Sequence, residues 1–210
     1  MDVAVHDLLR LRNGAALLTD DPQPEWVSEA LRRAPFVVVR RAPIEQSSIP
    51  VGIRGTARNQ RFAAYVAWDN VTEYIPPERL AAKDVWRKNS RLESMPALRS
   101  LAFVDELFRS LSLDWGPGGS AGFELATGLA VVTETSDLDV IVRAPDPLPI
   151  DIARDIVEQL KKASARVDVL LETPAGAVSL EEYARGGKQV LLRTVTGPRL
   201  VSDPWKMEIT

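Results

Sequence analysis

Three groups of residues in the second half of the chain carry the types and spacing that chemistry needs. They are Gly119-Ser120, the string Ser136-Asp137-Leu138-Asp139-Val140, and Asp168 between Val167 and Val169. Side chains at i and i+2 of a strand share a face, so Asp137 and Asp139 point one way while Leu138 points into a core. Their Cα atoms then lie about 6.6–6.8 Å apart, and a neighbouring strand would carry Asp168 about 4.8 Å to the side. Three converging carboxylates repel one another unless cations fill the patch. Two divalent ions about 3.5–4 Å apart would fit, clamping the attacking and leaving oxygens of an in-line phosphoryl transfer. Gly119-Ser120 would offer backbone N–H groups and a hydroxyl to a phosphate, since glycine lets the backbone come close. Taken singly, each group also has an ordinary reading: a Ser-Asp turn leading into a strand, an exposed strand acid, a connecting glycine turn.

Periodicity predicts the elements that must hold these residues. Pro96 to Leu113 carries apolar residues at helical spacing, from Leu98 and Leu101 to Leu107 and Leu111. A glycine-rich turn, Trp115 to Gly122, follows. Leu129 to Val132 and Leu138 to Val142 read as strands, Pro149 to Ala163 as a helix, and Arg166 to Leu171 as a strand. This α/β layering puts the acids on the strands and the glycines before them. The first half reads as a smaller α+β unit. It has a helix at Glu25–Arg33 stopped by Pro35, and strands at Phe36–Arg41, Val51–Gly55 and Phe62–Trp68. Ile75 to Leu80 reads as a loop entering a short helix, because proline suits the first helical turn. The polar stretch Lys83 to Pro96 is taken as the join. The expected fold is therefore α/β (α+β) with two lobes, 1–88 and 89–210, the second a mixed sheet with flanking helices.

Composition narrows the chemistry. With no cysteine among 210 residues, thiolate zinc sites, iron–sulfur clusters, disulfides and cysteine nucleophiles are excluded. The single histidine, His6, excludes a multi-histidine metal site, so a divalent metal would be a hard ion such as Mg²⁺ or Mn²⁺ held by carboxylates. The net charge of −3 argues against nucleic acid as the main partner. The longest apolar runs are about four to six residues, against ~18 for a membrane span. Met1 to Asp7 lacks the basic start and apolar run of a signal peptide, which sets the cytoplasm as the expected location. Charge is split unevenly. Residues 1–90 hold 13 Lys and Arg against 11 Asp and Glu, and residues 91–210 hold 13 against 18. Arg54, Arg58 and Arg61 form a glycine-broken basic loop that reads either as a phosphate binder or as a solvated loop. Trp115 and Trp205 read as core packing, with stacking on an adenine as the alternative.

Gly-Ser, then Asp-x-Asp on a strand, then a later strand Asp, resembles the polymerase-β-like nucleotidyltransferases. By that resemblance Gly119 and Ser120 match a phosphate-binding turn, Asp137 and Asp139 the paired metal ligands, and Asp168 the carboxylate that activates the attacking hydroxyl. Longer runs are similar to one branch, the malonate decarboxylase holo-acyl-carrier-protein synthases. These runs are Trp115 to Gly128, Ser136 to Asp139, Val167 to Pro174, Asp203-Pro204-Trp205, His6-Asp7-Leu8 and Gly52 to Phe62. The resemblance implies transfer of a phosphoribosyl-dephospho-CoA group from its triphosphate, triphosphoribosyl-dephospho-CoA, onto a serine of an acyl carrier protein, with Mg²⁺ or Mn²⁺ as cofactor. Two features depart from the wider pattern: Ser120 precedes Asp137 by 17 positions, and Ala121-Gly122 stands where a basic residue usually follows Gly-Ser. The triphosphate would then draw its cations from elsewhere, with the first half as the natural donor. Transfer to another protein or small molecule, and a silent nucleotide-binding module, remain the alternative readings.

Overall fold

Two stretches of alternating and apolar residues, each closed by turn-forming residues, build two separate sheets. The computed structural model describes residues 3–44, 47–57, 59–82 and 85–206. The chain divides into compact units at Pro76 and Pro77. The sequence reading drew the line after residue 88. Pro77 opens a helix that packs against the second sheet, which draws the residues after Pro76 into the second unit.

In the first unit, β1 (Leu8–Leu11), β2 (Phe36–Val39), β3 (Ser48–Arg54), β4 (Arg61–Ala67) and β5 (Val71–Ile75) form an antiparallel sheet in the order β4-β3-β2-β1-β5. Helix α1 (Glu25–Arg33) contributes Val27 to a core with Leu9, Val37, Ile49, Val51 and Val66. Strand β1 was not expected. Its apolar residues, Leu8, Leu9 and Leu11, follow a turn in which His6 has φ +77° and Asp7 accepts from the Ala4 N–H at 2.9 Å.

The second unit contains α2 (Pro77–Ala82), α3 (Pro96–Ser110), β6 (Asp114–Pro117), α4 (Gly119–Thr127), β7 (Leu138–Arg143), α5 (Ile150–Leu160), β8 (Val167–Thr173), β9 (Gly176–Ser179), α6 (Leu180–Ala184), β10 (Val190–Thr194) and β11 (Gly197–Val201). Its sheet runs β11-β10-β9-β8-β7-β6. Only β7 and β8 are parallel, joined through α5 as a parallel pair requires. One face carries Leu138, Val140, Val142, Val169 and Leu171, all buried, and Trp115 beside Val142 meets Phe108 of α3 at 6.0 Å between ring centroids. The indole of Trp205 packs edge-on against Tyr183 at 5.1 Å and donates to the Ala144 carbonyl at 2.8 Å. Both tryptophans are therefore packing residues. On the opposite face, Gly116 lets α2 lie close. A Cβ there would run into the Pro77 backbone.

Two expectations need correction. Leu129 to Val132 is not a strand, because its backbone groups are taken by side chains. The N–H groups of Val131 and Val132 each donate to the Glu124 carboxylate at 2.8 Å, and the Val132 carbonyl accepts from Arg91 at 2.7 Å. The glycine-rich turn, Trp115 to Gly122, is instead a short strand, β6, running through Gly118 into helix α4. Among the described residues, no helix is long and apolar enough to cross a membrane.

Candidate active site

Strand register decides which acids meet. In the parallel pair, Leu138 lies opposite Val167, Asp139 opposite Asp168, and Val140 opposite Val169. Asp139 and Asp168 are thus direct neighbours on one face, at the starts of their strands. Directly opposed like charges destabilise a sheet unless something neutralises them. Asp137 lies just ahead of β7 and is exposed.

The glycine turn sits on the other side of Asp139. The Gly118 N–H donates to the Asp139 carbonyl at 2.9 Å, which ties the end of β6 to the start of β7. Gly119 follows with φ +52°, and a Cβ on it would run into the Asp139 carboxylate. Only glycine satisfies both conditions at that position. Gly119 and Ser120 are the first two residues of α4, and the helix has no side-chain cap at its N-terminus. Its first N–H groups and the positive end of its dipole are therefore available to an anion. Across the end of the sheet the order is α4 N-terminus, Asp139, Asp168.

Beyond Asp168, the Arg166 guanidinium holds the Asp168 carboxylate at 2.9 Å, with both side chains at least a third exposed. Such a surface pair is worth about 0–1 kcal/mol, so it can be exchanged for another partner. A cavity of about 280 Å³ opens beside it, lined by Pro96, residues 134–137 and residues 164–166. Among the described residues, no three Asp, Glu or His side chains stand close enough together to hold one ion. The in-register pair Asp139 and Asp168 is nevertheless an all-oxygen donor set, partly open to solvent. That fits a hard divalent ion which keeps several waters of its own.

Arg54 and Arg61, the other residues singled out from the sequence, lie opposite each other at the exposed end of the β3–β4 hairpin in the first unit. Arg58 lies outside the described residues.

The sequence reading missed a network that holds the site's framework. Glu124, 2% exposed, projects from α4 and accepts from Arg91 at 2.7 and 2.9 Å and from the N–H groups of Val131 and Val132. Asn89 adds a contact at 3.3 Å. The network pins the long connection between Ser120 and Asp137 to the helix that carries Ser120. One signal was present in the sequence. Glu124 is a lone acid in the apolar run Ala121 to Ala126, and a buried carboxylate requires a partner.

Comparison with known proteins adds an independent line. The family model described as phosphoribosyl-dephospho-CoA transferase MdcG C-terminal domain matches residues 84–204, and its N-terminal counterpart matches residues 4–77. A phosphoribosyl-dephospho-CoA transferase of Pseudomonas syringae pv. tomato is 42% identical over 205 residues, covering 98% of this chain and 94% of that protein. Proteins of the same name from Azotobacter vinelandii and Pseudomonas aeruginosa are 41% and 40% identical, each covering 96% of this chain and 93% of the relative. No solved structure matches.

Proposed function

This chain belongs to the phosphoribosyl-dephospho-CoA transferase family and is a transferase, and from that premise we propose the reaction that its paired acids serve. The enzyme transfers the 2′-(5″-phosphoribosyl)-3′-dephospho-CoA group from its triphosphate precursor to a serine of the malonate decarboxylase acyl carrier protein, in the cytoplasm. The serine oxygen attacks the α-phosphorus. The bond from that phosphorus to the bridging oxygen breaks, and pyrophosphate leaves with the electron pair. The serine proton passes to the Asp168 carboxylate. The step is of the nucleotidyltransferase type.

The observation that carries this reading is the in-register pair of Asp139 and Asp168, with Gly119 against the Asp139 carboxylate. The α4 N-terminus, through Gly119 and Ser120, receives the leaving phosphates, and Asp168 stands on the opposite side of Asp139, where an in-line nucleophile would arrive. Asp139 and Asp168 would hold Mg²⁺ or Mn²⁺, which supplies charge neutralisation at the transferring phosphoryl group, and the exposed Asp137 would reach the ion only through one of its waters. The chain's own contribution is positioning and fixed dipoles. Arg54 and Arg61 are the first unit's candidates for donor phosphates, since an anion relieves two like charges set opposite each other.

Mass spectrometry of the carrier after incubation with donor and enzyme tests the proposal. Wild type should add one prosthetic group and release one pyrophosphate, and Asp139→Asn and Asp168→Asn should not. Loading by either variant at near the wild-type rate would remove the acid pair from the reaction. Labelling of small alcohols or unrelated proteins in preference to the carrier would overturn the acceptor.

A further inference from the structure

The face of the second sheet that carries Asp139 and Asp168 continues to the far edge of the sheet. Asp168 shares its face with Leu170 and Glu172. Glu172 pairs with Ala177, Ala177 with Arg193, and Arg193 with Pro198. Two residues along from that row, on the same face, Leu191 pairs with Leu200. Strand directions also agree. β10 is antiparallel to β9, which is antiparallel to β8, so the start of β10 lies at the same end of the sheet as the acids. At a strand spacing of about 4.8 Å, Leu191 is two strands, about 10 Å, from the Asp168 strand, and Leu200 one strand further.

This end of the sheet exposes what a folded chain normally hides. Leu200 is 62% exposed and Leu191 40%. Their strand neighbours Val190, Leu192 and Val201 are buried on the other face, so the exposed leucines are not misplaced core residues. The surrounding charge is reversed relative to the rest of the unit. Residues 185–206 hold five cations, Arg185, Lys188, Arg193, Arg199 and Lys206, against one acid, Asp203. Residues 91–210 as a whole carry five more acids than bases. Among the described residues, neither Arg193 nor Lys188 has an ion-pair partner.

We infer that the β10–β11 hairpin face is the docking surface for the acceptor protein, which meets Leu191 and Leu200 with an apolar patch ringed by carboxylates and so brings its serine to Asp168. This rests on the proposed acceptor being a protein. Three features select that occupant. The patch lies on the same face of the sheet as the acid pair, so a partner seated there need not cross the sheet. Arg193 on this face and Lys188 just before β10 carry charge that no acid among the described residues pairs, which favours an acidic surface and speeds encounter with one. A second copy of this chain is disfavoured, because a two-fold pairing of this face would bring its cations, Arg193 with Lys188 nearby, against their own equivalents. Pro198 lacks an N–H, which discourages strand addition at the β11 edge and leaves the face as the contact.

The test is steady-state loading of the apo carrier subunit of malonate decarboxylase by wild type, Leu200→Glu and Arg193→Glu. Both positions are exposed, and circular dichroism of each variant provides the fold control. The carrier KM should rise ~10-fold or more in each variant, with the donor KM unchanged and a weaker dependence on salt in Arg193→Glu. An unchanged carrier KM in both variants overturns the inference while leaving the proposed reaction intact. A wild type that never loads the carrier overturns the proposed reaction itself. Sedimentation that finds a wild-type dimer converted to monomer by Leu200→Glu, with carrier KM unaltered, assigns the face to self-association and overturns the docking role.

Discussion

Each unit sets a pair of like charges directly opposite each other across two strands, and the two pairs behave differently. In the first unit Arg54 faces Arg61 at the loop end of an antiparallel hairpin, where both side chains reach water. In the second, Asp139 faces Asp168 across the sole parallel pair of its sheet, with a glycine backbone against one carboxylate and an arginine on the other. A hairpin brings its paired residues together through a local turn, and solvent screens them at little cost. A parallel pair requires the α5 crossover. It brings two strand starts, the loops leading into them and a helix N-terminus to one end of the sheet. The connectivity thus gathers backbone donors and side-chain acids together at that end.

The largest effect that would break this comparison is on turnover. Asp139→Asn should lower carrier loading at least ~100-fold while leaving thermal stability unchanged or slightly higher, because the repulsion with Asp168 is gone. A loss of activity that only accompanies a loss of fold would make the acid pair a structural feature like the arginine pair. Next comes the support of the site. Glu124→Ala strands Arg91 and two N–H groups, and should cost about 3 kcal/mol in urea unfolding. Glu124→Gln should cost less, since the amide oxygen still accepts.

Gly119→Ala tests the contact that has no counterpart at the arginine pair. Positive φ and collision with the Asp139 carboxylate should together cost about 1–3 kcal/mol, with loading falling in parallel. Arg54→Gln should leave stability within ~0.5 kcal/mol or raise it, and should raise the donor KM severalfold with the carrier KM unchanged. An unaltered donor KM would reduce that pair to a solvated hairpin end.

The smallest effect concerns Asp203. The Trp205 N–H and the Lys206 ammonium hold its carboxyl below the ordinary carboxylate value. A lowered folded-state pKa contributes stability above the unfolded-state value and loses it as pH falls through the folded one. Stability measured from neutral pH down into the acid range should therefore fall less steeply in Asp203→Asn than in wild type.

Much of the framework was legible from pattern. The stripe of Trp26, Val27, Ala30 and Leu31 predicted α1 to the residue, and Pro96 with its apolar repeat predicted the start of α3. Strands β7 and β8 were visible as β-branched runs broken by acids. What escaped were elements whose local preference opposes their state. Strand β6 is Asp-Trp-Gly-Pro, and α4 opens Gly-Ser-Ala-Gly. Neither has the composition of its class, and tertiary contacts decide both. Leu129 to Val132 failed the other way. Its composition favours a strand, but the Glu124 carboxylate captures the N–H groups that a ladder would need.

The sequence by itself determined that Asp137 and Asp139 stand two residues apart around a buried Leu138, that no thiolate or multi-histidine site exists, and that two units carry unequal charge. These follow from side-chain chemistry and the two-residue period of a strand, which are local. Only the tertiary structure decided that Asp139 lies opposite Asp168, that Gly119 presses on it, that Glu124 and Arg91 tie down the connection between them, and that Leu191 and Leu200 share the face of the acids. Each of these depends on strand register and burial, which are settled by contacts among residues remote in the chain and leave no trace in local spacing.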